Sequence, residues 1–234
     1  MIRRVLVCLL AFASLAFAQA PSPEHGGERK KDLALAPIED VAGLPRVLLI
    51  GDSISIGYTL PTRKALEGIA NVHRIPANGS STDAAVQNLE RWLAPDDSGK
   101  KWDVIHFNWG LHDLKHWQDN KLDLEGAQVN PLPEYEKNLR EIIIKLKATG
   151  AKLIFATTTP VPEGSAGRIA RDELAYNEAA VRVMNESHVS VDNLHAIVAA
   201  RPELQQKNNV HFSDEGYQVL ATQVAAEIKK ALGK

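Results

Sequence analysis

The fold of this chain is decided by one stretch, Val47-Leu48-Leu49-Ile50-Gly51-Asp52-Ser53. Four consecutive apolar residues that end at a glycine are typical of a strand buried on both faces of a parallel sheet. The serine that follows then lies at the turn between that strand and a helix. Parallel sheets bind ligands beyond the carboxyl ends of their strands, so we expect Ser53 at the rim of a binding crevice.

Short apolar runs alternate with helical patterns along the rest of the chain. Further strands are predicted at 72–75, 102–107, 153–157 and 189–191, and helices at 62–70, 82–93, 133–149, 172–186 and 213–232. This alternation implies right-handed crossovers and a parallel sheet that helices cover on both faces. The predicted fold class is α/β, with a central parallel sheet of about five strands.

The composition is that of an ordinary globular protein, with 44% hydrophobic and 24% charged residues among 234. The length suits one domain, which we place at 46–234, and the stretch 21–45, rich in proline, glycine and charge, is predicted to be a flexible leader. The 27 basic and 29 acidic residues give a net charge of -2, so nothing favours nucleic acid as a partner.

The N-terminal stretch has the features of a secretory signal. Two arginines precede an apolar run over 5–18, and Ala18-Gln19-Ala20 provides the small residues that a signal peptidase reads. We therefore predict a signal peptide at 1–20, cleavage after Ala20, export to the periplasm or out of the cell, and no stable membrane anchor; a retained anchor is the alternative. Cleavage would also remove Cys8, the only cysteine, so the mature chain would have no disulfide.

Polar segments follow three of the predicted strands, and a fourth precedes the last helix. They are Gly51-Asp52-Ser53, Ala77-Asn78-Gly79, Asn108-Trp109-Gly110-Leu111-His112 and Asn208-Asn209-Val210-His211. A serine hydroxyl attacks an ester only with a base in hydrogen-bond reach, and histidine titrates in the useful range. Ser53 and His211 are therefore candidates for nucleophile and base; a helix-capping serine and a surface histidine are the alternatives.

In their order and spacing these segments resemble the SGNH hydrolases, also called GDSL esterases and lipases. The resemblance covers about residues 46–225. It implies a three-layer α/β/α sandwich of flavodoxin-like topology and a serine esterase without cofactor or metal. In that family the serine of Gly-Asp-Ser is the nucleophile, here Ser53, and the late histidine, here His211, is the base. The amides of Ser53 and Gly79 would donate to the oxyanion.

The first departure from the family pattern is Asn208, which stands where the family has the aspartate that orients the histidine. An asparagine oxygen can hold the ring, but it cannot offset the charge of an imidazolium. We expect a Ser53–His211 dyad, steadied by Asn208 or a backbone carbonyl, with a modest rate. Asp192 and Asp214 are two other candidates for the missing carboxylate.

The second departure is His112, which stands where the family has an asparagine that donates to the oxyanion. A neutral imidazole N–H can still donate one hydrogen bond, so the role can survive the change. Asn108, four residues earlier, is a second candidate for this donor.

The substrate is predicted from the side chains beyond the third strand. Trp109 and Trp117 have faces that suit sugar rings, and packing of both indoles in the core is the alternative. The stretch 158–171 is predicted to be a loop that lines the pocket, in which Arg168 or Arg171 is a candidate to bind an acidic sugar, and Asp52 is a further candidate for substrate binding. We therefore expect a small-molecule or carbohydrate ester as substrate, with acetyl as the acyl group; a lipolytic esterase or a thioesterase is the alternative.

Two other kinds of protein compete with the esterase. One has a metal site, for which the candidate ligands are His106, His112, Asp113, His116 and Asp119. Against it, no glutamate follows the first histidine in the metalloprotease pattern. The other is a carbohydrate-binding module that kept the fold and lost its chemistry through Asn208.

Overall fold

The structure of the protein is a computed structural model that describes residues 30–94 and 99–234. The predicted signal peptide and the leader up to residue 29 lie outside the described residues. The strands are β1 (Arg46–Ile50), β2 (Asn71–Arg74), β3 (Val104–Phe107), β4 (His116–Gln118), β5 (Lys121–Leu122), β6 (Ala127–Gln128), β7 (Lys152–Ala156) and β8 (Ser190–Asp192). The helices are α1 (Ser53–Ala65), α2 (Thr82–Leu93), α3 (Leu132–Ala148), α4 (Glu173–Glu186), α5 (Leu194–Ala199) and α6 (Asp214–Leu232). Across the described ranges, no helix combines the length and hydrophobicity that a membrane span requires.

Five strands form the central sheet in the order β2-β1-β3-β7-β8, and every neighbouring pair is parallel. In β1, Val47 is in register with Val72 on one side and Val104 on the other. The strand order reverses at β1, which opens a crevice between the loops that follow β1 and β3. The predicted α/β class and five-stranded parallel sheet are confirmed.

Right-handed crossovers distribute the helices over both faces of the sheet. The connection from β1 to β2 runs one way across the sheet and the next three run the other way, so α1 lies on one face and α2, α3 and α4 lie on the other. Helix α6 packs against α1, while α2, α3 and α4 pack side by side. The result is a three-layer α/β/α sandwich around a β1 strand that is buried along its whole length.

Helix α1 begins earlier than the sequence predicted, at Ser53 rather than near residue 62. Gly57 and Pro61 lie inside this helix and lower its intrinsic helix propensity. Packing explains the glycine, because a Cβ at Gly57 would overlap the ring of Tyr217 on α6. The close approach of α1 and α6 therefore outweighs the weak local preference of the α1 sequence.

A second, small sheet forms in the stretch after β3, where we expected only a loop. Its strands β5, β4 and β6 are antiparallel, and Trp117 on β4 is paired with Leu122 on β5 and Ala127 on β6. Strands of two or three residues are too short to produce an alternating pattern in the sequence. Helix α5 was missed because its six residues are too few to show a helical periodicity.

The described part of the predicted leader, 30–45, is hydrogen-bonded to the domain. The side-chain amide of Asn71 accepts from the Val41 N–H at 2.9 Å and donates to the Val41 carbonyl at 3.0 Å. Arg63 on α1 donates to the carbonyl of Ala36 at 3.2 Å. These contacts fix the chain along the β2 side of the sheet before it enters β1.

Asp113 connects the loop after β3 to the N-terminus of α2. Its Oδ1 atom accepts hydrogen bonds from the Thr82 N–H at 2.8 Å, the Thr82 hydroxyl at 2.6 Å and the Asn130 side chain at 2.8 Å. The side chain has no exposed surface, and burial raises the pKa of Asp113 to about 6. One carboxylate oxygen therefore holds together three segments that border the crevice.

Replacing Asp113 by alanine should lower the free energy of unfolding by about 3 kcal/mol, because buried donors lose their acceptor. Urea denaturation measures the change. The matched control is Asp123→Ala, since Asp123 is exposed and, within the described ranges, its side chain accepts only from the Glu125 amide, at 3.0 Å. An equal effect of the two substitutions would show that Asp113 does not have this role.

Candidate active site

Ser53 is the first residue of α1, and its hydroxyl is free of any capping role. The cap is Asp52, whose Oδ1 atom accepts from the Ile54 N–H at 2.9 Å. As the first helical residue, Ser53 also has no intrahelical acceptor for its own N–H. Both the hydroxyl and the amide of Ser53 are thus available at the carboxyl end of β1.

The ring of His211 meets the Ser53 hydroxyl across the crevice. The His211 Nε2 atom lies 2.9 Å from Ser53 Oγ. On the other side of the ring, Nδ1 lies 2.7 Å from the Oδ1 atom of Asn209. Because an amide oxygen only accepts, Nδ1 carries the proton and Nε2 is left to accept from the hydroxyl. The arrangement is that of a serine activated by a neutral, oriented histidine.

The residue that orients His211 is Asn209, not Asn208 as the sequence predicted. Asn208 has a left-handed backbone, with φ of 55°, and it lines a separate cavity beside Glu163. Asn209 sits two residues before the histidine and its Oδ1 atom also accepts from the His211 N–H at 3.1 Å. Asparagine favours local turns of this kind. The spacing of aspartate and histidine in the family pointed instead to residue 208.

Neither of the alternative carboxylates reaches His211. Asp192 is fully buried and accepts from Gln223 at 3.0 Å, while its second oxygen lies 3.0 Å from the Nε2 atom of His106. Asp214 is exposed and forms an ion pair with Lys30 at 2.7 Å. Within the described residues the ring of His211 is therefore oriented by an amide and not by a carboxylate.

Arg74, at the end of β2, holds the turn that carries the nucleophile. Its guanidinium donates to the carbonyl oxygens of Gly51 at 2.8 Å and Asp52 at 3.0 Å, and to the Ser55 hydroxyl at 2.6 Å. The other terminal nitrogen donates to the carbonyl of Ala77 at 2.8 Å. Burial lowers the pKa of Arg74 to about 10, so the group stays charged at neutral pH. Sequence reasoning missed Arg74, because a lone arginine in a strand belongs to no motif.

A cleft of about 670 Å³ opens beside the Ser53–His211 pair. Its other lining residues include Ile56, Leu60, Pro61, Asn78, Phe212 and Tyr217. Lys30, Lys31 and Asp214 also line the cleft and give it a charged part. The cleft therefore combines apolar surface from α1 with polar and charged side chains.

A model of the GDSL-like lipase/acylhydrolase family matches residues 49–219 of the chain. The chain belongs to this family. The match includes both members of the Ser53–His211 pair and confirms the resemblance drawn from the four polar segments. By family the protein is an acylhydrolase, a carboxylic ester hydrolase.

Solved structures with the same fold include several esterases. The acetyl xylan esterase AlAXEase has a TM-score of 0.62 at 18% identity, over 78% of this chain and 99% of that one. A catalytic mutant of Axe2, an acetylxylan esterase from Geobacillus stearothermophilus, has a TM-score of 0.62 at 20% identity, over 82% and 96%. The psychrotrophic esterase EstA from Pseudoalteromonas sp. has a TM-score of 0.59 at 16% identity, over 81% and 99%. Among curated protein sequences, none is significantly similar to this chain.

In this acylhydrolase the Gly79 amide does not point into the crevice as predicted. It donates to the carbonyl of Gly51 at 2.8 Å, and a Cβ at Gly79 would lie 2.8 Å from the same oxygen. The glycine thus serves the close approach of two loops. The next residue, Ser80, has a left-handed backbone with φ of 53°, and its N–H donates to the Oδ1 atom of Asn78 at 2.9 Å.

Of the two candidate side-chain donors to the oxyanion, Asn108 is engaged elsewhere. It is 8% exposed, and its Nδ2 atom donates to the Ala156 carbonyl at 2.7 Å, which ties the ends of β3 and β7 together. His112 is half-buried, and its Nδ1 atom lies 3.3 Å from the ammonium of Lys115. Burial lowers the pKa of His112 to about 4, so the ring is neutral at neutral pH.

The four predicted substrate-binding residues occupy different environments. Trp109 has no exposed surface and its indole N–H donates to the Gly79 carbonyl at 3.1 Å, so it belongs to the core. Asp52 is 1% exposed and caps α1, which excludes direct contact with substrate. Trp117 is 40% exposed on β4. Arg168 donates to the Leu111 carbonyl at 2.8 Å and lies beside the loop that carries His112.

Within the described residues, no group of three or more metal-ligating side chains is found. The histidines considered for a metal site have different partners: His106 contacts Asp192, His112 contacts Lys115, and the Nδ1 atom of His116 lies 2.9 Å from the Gly126 carbonyl.

The surroundings of His211 favour its neutral, basic form. Burial lowers the pKa of His211 below its ordinary value of 6.5, and the positive charges of Arg168 and Lys115 act in the same direction, against Asp52. The acid limb of the pH–rate profile, which reports protonation of this base, should therefore lie below pH 6.5.

Asn209→Asp should raise kcat about tenfold or more, because a carboxylate on Nδ1 would offset the charge that His211 gains during attack. It should also move the acid limb to higher pH, since a nearby negative charge raises the pKa of histidine. Steady-state kinetics across pH measures both effects.

The matched control is Asn208→Asp, which adds the same charge one position earlier and away from the ring. We expect it to change kcat less than threefold. A larger gain from Asn208→Asp than from Asn209→Asp would return the orienting role to residue 208.

Proposed function

We propose that the chain is an exported serine esterase that removes short acyl groups, acetyl above all, from carbohydrate hydroxyls. The observation that carries the proposal is the 2.9 Å contact between His211 Nε2 and Ser53 Oγ, with the ring held by Asn209 at 2.7 Å. Export is supported by the arginines and apolar run of the N-terminal stretch.

The reaction follows from the positions of these groups. His211 takes the Ser53 proton while the Ser53 oxygen attacks the ester carbonyl, which forms a tetrahedral intermediate. The intermediate collapses, and the departing alcohol oxygen takes the proton back from His211. Water then attacks the acyl-enzyme with His211 again as base, which releases the acid and frees Ser53.

The negative charge that develops on the carbonyl oxygen needs donors. The Ser53 N–H, at the N-terminus of α1, is one, and the helix dipole adds to it. We assign His112 as the side-chain donor, because Asn108 is bonded to Ala156. Each such donor is worth about 3–4 kcal/mol in the transition state.

Asn209 sets an upper limit on the rate. Its neutral amide fixes the ring of His211 but leaves the imidazolium charge without a negative partner. In serine proteases the exchange of aspartate for asparagine lowers kcat about 10⁴-fold because the amide holds the wrong tautomer. Asn209 presents its oxygen to Nδ1 and keeps the working tautomer, so only the cost of the missing charge applies here. We therefore expect a slow esterase rather than an inactive domain.

Acetyl esters of carbohydrates are favoured as substrates by two observations. The fold is shared with acetyl xylan esterases, which are named for that substrate class. The cleft also has polar and charged residues, such as Lys31, Asn78 and Gln218, and these can bind sugar hydroxyls. The apolar surface of Ile56 and Leu60 favours the second candidate, a lipolytic esterase that binds a longer acyl chain.

Ser53→Ala should reduce hydrolysis of p-nitrophenyl acetate by at least about 10³-fold, since no other group on α1 replaces the nucleophile. Labelling by a fluorophosphonate probe should disappear with it. Ser190→Ala, at an exposed serine on β8, is the matched control and should keep both. Retained turnover in a folded Ser53→Ala protein would remove Ser53 from the mechanism.

An acyl-chain series separates the two substrate classes. The proposal expects kcat/KM to fall from acetyl to octanoyl p-nitrophenyl esters, because the apolar surface beside Ser53 is shared with charged groups. Acetylated xylo-oligosaccharides should release acetate, measured by a coupled assay. A preference for octanoyl esters with no release of acetate would favour the lipolytic alternative.

A further inference from the structure

We propose that Lys115 is a positioning residue that fixes His112 in the tautomer whose Nε2–H is free to meet the oxyanion. The inference rests on the proposed esterase reaction and extends it to a residue outside the nucleophile and base. It starts from one contact: the ammonium nitrogen of Lys115 lies 3.3 Å from the Nδ1 atom of His112.

The chemistry of that contact leaves only one arrangement of protons. An ammonium group has three donors and no acceptor, so it binds a ring nitrogen only if that nitrogen carries no proton. Neutral imidazole has one proton, which must then lie on Nε2. Lys115 thereby makes the far side of the His112 ring a hydrogen-bond donor.

The Nε2–H group of His112 is free to donate a hydrogen bond to a ligand. It has no hydrogen-bond partner among the described residues and it is not fully buried, so a ligand can reach it. His112 follows β3, and β3 lies next to β1, whose carboxyl end carries Ser53. The open nitrogen and the nucleophile thus share the crevice at the point where the strand order reverses.

The position of the ring proton must be fixed here, because either nitrogen of a neutral histidine can carry it. An amide nitrogen always donates, but the Nε2 atom of a neutral histidine either donates or accepts. With its proton on Nδ1, His112 would present a lone pair to the oxyanion and repel it. Lys115 removes this second state.

The charges around the pair keep both groups in the working state near neutral pH. Burial lowers the pKa of His112 to about 4; Lys115, Arg168 and His211 act the same way, and Asp52 opposes them. Burial also lowers the pKa of Lys115 to about 8, with Arg168 adding to the effect and Asp52 opposing it. Within the described residues no ion pair joins Lys115 to a carboxylate, and its ammonium contacts the His112 ring.

The first test is Lys115→Met, which should lower kcat for p-nitrophenyl acetate about 10- to 100-fold with little change in KM. Lys121→Met, which removes an exposed lysine on β5, is the matched control for loss of a positive charge. Thermal unfolding of each variant separates a loss of fold from a loss of rate.

The second test is a double-mutant cycle with His112→Asn, a change that supplies a donor without a tautomer. In that background Lys115→Met should cost less than about threefold, because there is no ring left to lock. An equal cost in both backgrounds would overturn the proposal. Wild-type kcat should also fall as Lys115 loses its proton near pH 8, and this basic limb should be absent in His112→Asn.

A third test does not depend on activity. ¹⁵N–¹H spectra of the histidine rings should show the Nε2–H tautomer for His112 in the wild type and a mixture in Lys115→Met. A single tautomer in both proteins would contradict the inference. If Ser53→Ala retains activity the esterase mechanism fails, whereas full activity in Lys115→Met beside an inactive Ser53→Ala removes only the role of Lys115.

Discussion

A buried guanidinium fixes the geometry on which the site depends. Arg74 lies within the protein and donates to backbone carbonyls of the turn after β1 and of the turn after β2. Water cannot replace these bonds at a buried site, so the two turns keep one relative position. The Gly79 N–H reaches the Gly51 carbonyl from the other turn and adds to the same junction. Ser53 therefore starts its helix from a turn that has little freedom to move.

The site also uses two histidines in opposite ways. His211 accepts a proton at Nε2 because Asn209 holds the proton of the ring on Nδ1. His112, by our proposal, donates at Nε2 because Lys115 occupies Nδ1. In each case a neighbour on one side of the ring determines the chemistry on the other side. An amide and an ammonium achieve this without a carboxylate, which suits a site whose other cations already favour neutral imidazoles.

The sequence was sufficient for the class of fold but not for every residue of the site. Uninterrupted apolar runs such as Val47–Ile50 result from burial on both faces, and this pattern is visible within the sequence of a single strand. These runs predicted the parallel sheet correctly. The contact between Ser53 and His211 was predicted from family segments and is present. Helix α1 was predicted too short because Gly57 and Pro61 are explained by packing against α6, which no local pattern contains.

Two further errors concern single residues of the candidate site. Asn208 and Asn209 have identical side chains, and the structure places Asn209 on the ring while Asn208 has a left-handed backbone. Trp109 was expected at the substrate because an indole can pack on sugars or in a core; the Gly79 carbonyl that accepts its N–H places it in the core. The Trp109 outcome depends on a contact between two loops far apart in sequence, and the Asn209 outcome depends on the backbone of a short local turn; neither produces a periodicity that the sequence could show.

Because Gly57 has no side chain, α1 and α6 can pack closely at the end that carries Ser53 and His211. Gly57 lies one turn after Ser53 on α1. The ring of Tyr217 covers Gly57, and Tyr217 lies in the first turn of α6, shortly after His211 in the chain. A larger residue at position 57 would overlap the ring of Tyr217, so that ring or the spacing of the two helices would have to change. Efforts to reshape this enzyme by directed evolution would therefore gain little from enlarging position 57, and would find more freedom at cleft residues outside both helices, such as Asn78 and Gln206.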